Sequence, residues 1–167
     1  GLGVLISLIM VIYRSSKPHV AILGRIPESK SFRNVERFDD AEVRDDALIF
    51  RIDSPLYYAN VEFFKELVEK EMEKKPDVKV MVMNAAATTS MDSTALHVLK
   101  DLVKKTESDG VKFFISGANG PLRDRLEANG FHDQVNGGGK PFLHVYQAMD
   151  YYDKISDSLN GAEKPET

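Results

Sequence analysis

The stretch VKVMVMNAA, residues 78–86, restricts the fold more than any other, because Lys79 is its only polar side chain before Asn84. A run that is apolar on both faces, rather than alternating, is how a central strand reads when helices cover the sheet on two sides. ALIFRID (47–53), which alternates apolar with polar residues toward its end, lies before it, and VKFFISG (111–117), another buried run, lies after it. Between the strands the period changes. Asn60 is placed to cap a helix through about Lys75, with Val61, Phe64, Val68 and Met72 on one face and Phe63 and Leu67 widening it. Asp92 opens a second helix to about Ser108, with Leu96, Leu99 and Val103 on its apolar stripe. Strands and helices that alternate with short linkers imply right-handed crossovers and a largely parallel α/β sheet.

The flanks add smaller elements. HVAILGRI (19–26) reads as a strand stopped by Pro27, and 28–38 has room for a short strand anchored by Phe32, Val35 and Phe38. PLRDRLEANG (121–130) is a short helix, with Pro in its first turn and Gly just past its end. Residues 141–155 read as a short strand passing into a last amphipathic helix, and 157–167 as a disordered tail.

Residues 1–17 are of a different kind. The first twelve are apolar or small except Ser7, and no polar face recurs at helical spacing. The run is too short to cross a bilayer alone, and it has no basic n-region of a signal peptide. Tyr13, Arg14 and Lys17 follow it, the order in which a membrane helix leaves on the cytoplasmic side. Opening on Gly rather than Met, this segment is expected to be the end of a last transmembrane helix with its exit linker. Residues 18–156 then form one domain.

Composition excludes several functions. The 167 residues suit a single core, and 26 acidic against 22 basic residues give a net charge of −4 without the clustered positive face that nucleic acid requires. With no Cys there is no disulfide framework and no thiolate site. The four His have no metal-ligand spacing, and NGGGKP (136–141) fails as a phosphate loop because Pro141 follows its Lys.

In parallel sheets, ligands and partners meet the loops at the carboxyl ends of the strands. Here these are 54–60, 85–93 and 116–121, which hold Ser54, Pro55, Leu56, Tyr57, Asn60, Asp92, Ser93, Gly117 and Asn119, with Thr94 just beyond. Ser93 directly follows the capping Asp92 in SMDSTAL (90–96), and three readings of it are open. It is part of an ordinary cap, a phosphate acceptor favoured by the helix dipole, or a nucleophile. The last needs a base, and SMDST is not a Gly-x-Ser-x-Gly elbow.

SMDSTAL also resembles the signature of STAS domains, in which Asp-Ser-[Ser/Thr]-Gly-Leu opens the helix after a central strand. STAS domains occur as soluble anti-sigma-factor antagonists and as cytoplasmic C-terminal domains of SulP anion transporters. FRIDSPLYYANVEFF (50–64) and YRSSKPHVAILGRIPES (13–29) resemble the transporter group. The resemblance implies a mixed, largely parallel sheet flanked by helices, with the N-terminal strand antiparallel. It implies a non-catalytic regulatory, targeting and interaction module of a sulfate or anion transporter, on the cytoplasmic side of the cell membrane. Its expected partners are the protein's own transmembrane domain, another STAS copy or a soluble regulatory protein. No cofactor is expected beyond weak nucleotide binding. In the antagonists the Ser after the motif Asp is phosphorylated, which maps to Ser93, whereas Ala95 replaces their Gly and favours the transporter group.

Overall fold

The computed structural model describes residues 1–131, 135–139 and 141–162. Its elements in order are α1 (Leu2–Ser15), β1 (Val20–Arg25), β2 (Phe32–Asn34), β3 (Ala47–Ile52), α2 (Val61–Glu73), β4 (Val80–Asn84), α3 (Ser93–Ser108), β5 (Lys112–Ser116), α4 (Gly120–Ala128), a 3-10 turn (Asn136–Gly138) and α5 (Val145–Ala162). One five-stranded sheet runs β2-β1-β3-β4-β5, with β3, β4 and β5 parallel and β1 antiparallel to both its neighbours.

The side chains of β4 show why the sheet forms. Met81 and Met83 enter one buried cluster with Phe64, Leu99 and Phe113. Val80 and Val82 enter a second, with Phe114, Ala148 and Met149. Successive residues on a strand face opposite sides, so a strand buried on both must be apolar throughout. Both crossovers step the same way across the sheet, from β3 to β4 and from β4 to β5. Right-handed crossovers of one direction put α2 and α3 on one face, and α5 covers the other. Each large side chain so buried contributes about 1.5–3 kcal/mol.

Two expectations are corrected here. Residues 157–162, read as the start of a disordered tail, are the last turns of α5. Val145, Ala148, Met149 and Tyr152 dock that helix on the sheet, and an established helix propagates at little further cost. Residues 163–167, the rest of that expected tail, lie outside the described residues. Phe142 makes only an isolated bridge to Ser116, not a strand.

α1 contributes almost nothing to either cluster. Its apolar residues are exposed on every side, Leu2 by 73% and Met10 by 69%. No helix among the described residues is long and apolar enough to cross a membrane. α1 meets the body at its last turn, where the Tyr13 ring stands edge-on to Phe63 of α2 with centroids 5.7 Å apart. The Lys17 ammonium lies 5.0 Å over the Tyr13 ring. Beyond the linker, the Asp53 N–H donates to the His19 carbonyl at 2.9 Å, which fixes the start of β1 against the carboxyl end of β3.

Candidate functional site

Asp92 holds the site together. It has extended backbone at the N-cap of α3, and its Oδ1 accepts from the Ala95 N–H at 2.8 Å, the ordinary capping bond. Its Oδ2 accepts from the Tyr58 N–H at 2.9 Å, a contact 34 residues back along the chain. One carboxylate thus joins the β3–α2 loop to the start of α3. Two backbone bonds run beside it, Leu56 N–H to the Ser90 carbonyl at 3.0 Å and Asp92 N–H to the Leu56 carbonyl at 3.1 Å. Leu56 is buried in the core beneath them.

Asn60 does not cap α2 with its side chain, contrary to expectation. It is 3% exposed, its Oδ1 accepts from the Tyr57 N–H at 2.9 Å and its Nδ2 donates to the Pro55 carbonyl at 2.9 Å. It therefore fixes the loop 55–60 from inside. The loop presents Pro55 and Tyr58 to solvent, the latter 73% exposed. The Tyr57 and Tyr58 rings meet edge to face.

Ser93 and Thr94 are both exposed at the first turn of α3. The Arg125 guanidinium of α4 lies 3.5 Å from Ser93 Oγ, the outer limit of a hydrogen bond. Asn119 caps α4, accepting from the Leu122 N–H at 2.9 Å. Gly117 stands at φ +71° with Asn84 Oδ1 and Ala86 Cβ each 3.0 Å from where a Cβ would be. Only Gly fits that position. The three loops therefore form one contiguous edge, with 54–60 and 88–95 bonded directly and the β5–α4 loop joined through Arg125.

Among the described residues no histidine bonds to Ser93 as a base would. His97 lies on the solvent side of α3, 3.5 Å from Asp101. His19 is 3.1 Å from Asp53, and His144 stacks on Tyr146. None of these bonds to Ser93, and His132 lies outside the described residues.

Several polar residues of this end were not legible as site residues. Thr88 Oγ donates to the Ile52 carbonyl at 3.2 Å and ties the β4–α3 loop to β3. Arg51 donates to both Asp53 oxygens, at 2.5 and 2.9 Å. That bidentate bond, with a further contribution from His19, holds the Asp53 carboxyl below its ordinary range. The signal for it is the Arg-x-Asp spacing at a strand end, which puts both side chains on one face.

Known proteins share this fold. The STAS domain family model matches residues 40–148. Sulfate transporter 4.1, chloroplastic, of Arabidopsis thaliana is 29% identical over 97% of this chain and 25% of its own, so this chain spans about a quarter of that relative's length. The murine solute carrier 26 family member A9 anion transporter, in its inward-facing state, superposes with a TM-score of 0.76 at 18% identity, over 92% of this chain and 25% of that one. A protein of Thermotoga maritima assigned to the anti-sigma factor antagonists superposes with a TM-score of 0.57 at 22% identity, over 66% of this chain and 90% of its own. Those two structural likenesses speak to fold alone. With a family model matching from Asp40 to Ala148, across β3, β4, β5 and the Asp92 cap, the chain belongs to the STAS domain family.

Proposed function

We propose that this chain is the STAS module of a SulP-type membrane transporter for sulfate or related anions. In this reading it is a non-catalytic regulatory, targeting and interaction part on the cytoplasmic side. The observation that carries the proposal is the sequence relationship to sulfate transporter 4.1, which extends over 97% of this chain and so includes α1.

The exposed surface of α1 supports the same reading. An apolar helix open on all sides is costly in water and favourable in hydrocarbon. Its 14 residues rise about 21 Å, short of the ~30 Å hydrocarbon core. α1 thus serves as the inner end of a membrane helix of the parent protein. Because the linker joins β1 beside the carboxyl end of β3, the loops around Asp92 lie at the same end of the sheet as α1. Their partners are then the transmembrane domain, a second STAS copy or a soluble regulator.

Radiolabelled sulfate uptake tests the proposal, with the complete parent protein expressed in a host strain that lacks its own uptake system. Uptake above the empty-vector strain, competed by unlabelled small anions, is expected. Correct membrane insertion with no transport of any anion in a panel would contradict it.

A further inference from the structure

We propose that the groove between the β1–β2 turn and the first turn of α5 binds a tetrahedral oxyanion, either as a free ion or as the terminal group of a larger molecule. The groove is open to solvent and holds about 350 Å³, and its lining includes Lys30, Ser31, Arg33, Asn84, His144 and Tyr146, with no Asp or Glu. Those residues come from three separate segments of the chain. It lies on the α5 side of the sheet, reaches Asn84 and Ala86 where β4 leads into the α3 loop, and does not depend on what the parent protein transports.

Charge is the first argument. The chain carries a net −4, yet Lys30 and Arg33 line this groove with no acid beside them, and His144 adds a ring N–H. Among the described residues Lys30, Arg33 and His144 form no ion pair. Aromatic rings hold them instead. The Lys30 ammonium sits 5.0 Å over the Tyr146 ring, and the Arg33 guanidinium 5.7 Å over Phe38. His144 lies nearly parallel to Tyr146 with centroids 5.6 Å apart. A ring contact orders a cation without neutralising it. Lys30 and Arg33, left charged beside one groove, raise the local concentration of anions there.

Donor chemistry is the second. Arg33 offers the planar fork that fits two oxygens of one oxyanion. Asn84 spends its Oδ1 on the Ala86 N–H at 3.0 Å, which leaves its NH₂ as a donor. The groove also opens on Val145, the first residue of the 18-residue α5, whose dipole adds to the same field. Its volume exceeds what one sulfate or phosphate needs, and Tyr146 offers a ring face, so a larger molecule ending in such a group also fits.

The test follows the backbone amides of Arg33, Val145 and Tyr146 by NMR in the full 167-residue chain, held in neutral detergent. Sodium sulfate, sodium phosphate and phenyl phosphate are titrated against sodium chloride at matched ionic strength. Saturable shifts are expected with the oxyanions, with Kd on the order of 1 mM or tighter. Arg33→Glu and Lys30→Glu each weaken binding about tenfold or more, whereas Lys104→Glu, exposed on α3, leaves it unchanged. Phenyl phosphate binding at least tenfold tighter than phosphate assigns the groove to a larger molecule, and equal affinity assigns it to the free ion. Shifts that grow linearly and match those in chloride, or that saturate equally in Arg33→Glu, overturn the proposal.

Discussion

At the scale of single residues, one carboxylate carries most of the local order. Asp92 satisfies a helix-end N–H and a loop N–H together, so its removal orphans two donors. Asp92→Ala is expected to cost about 1–2 kcal/mol, the upper range for a cap, read as a shift in urea midpoint with unchanged slope. The first of its roles was readable from Asp-Ser-Thr before an apolar stripe. The second was not, because no local pattern marks an acceptor for an N–H 34 residues away. Asn60 was misread for a related reason: the sequence shows a residue suited to a cap, while burial turns its side chain inward to the loop. Ser93 has the exposure and the neighbouring Arg125 that a modified hydroxyl would need. If modification at Ser93 regulates the protein, Ser93→Asp changes capture of the membrane domain in a pull-down; unchanged capture contradicts that role.

Among elements, the sheet was the most legible and the ends the least. The unbroken apolar run of β4 follows directly from its two buried faces, and the short strand expected within 28–38 is β2. The reach of α5 was hidden, because Ser158, Asn160 and Gly161 suggest a tail when read locally. Packing upstream decides otherwise, even though Leu159 at the far end is 68% exposed. α1 is an element attached through little more than Tyr13 and the linker. Removing residues 1–17 is therefore expected to leave a cooperatively folding body, with a urea midpoint close to that of the whole chain. The same removal abolishes sedimentation with neutral lipid vesicles. A truncated body that no longer unfolds cooperatively would show that α1 belongs to the core.

For the whole molecule, charge pairs join separate layers. Arg44 donates to both oxygens of Asp153 on α5, at 2.9 and 3.0 Å, and also pairs with Asp46 beside β3. The Arg44 bond holds the Asp46 carboxyl below its ordinary 3.8, as Arg51 does for Asp53. A folded pKa below the unfolded one gives stability that is complete above the ordinary value and lost as pH falls through the folded value. Unfolding free energy is thus expected to be level from about pH 7 to 5 and to drop below about pH 4. Asp46→Asn shallows that drop, and an acid limb of the same steepness in the variant would remove the pair from the account.

The central claim, that this STAS domain is part of a membrane transporter, is tested most directly in the native host. An antibody raised against residues 20–156 is used on fractionated cells whose membranes have been washed with alkaline carbonate. The account predicts a band retained in the washed membranes and several times heavier than the 18.7 kDa of this chain. A soluble band near 18.7 kDa would contradict it and leave a free-standing antagonist regulated at Ser93 as the reading to pursue.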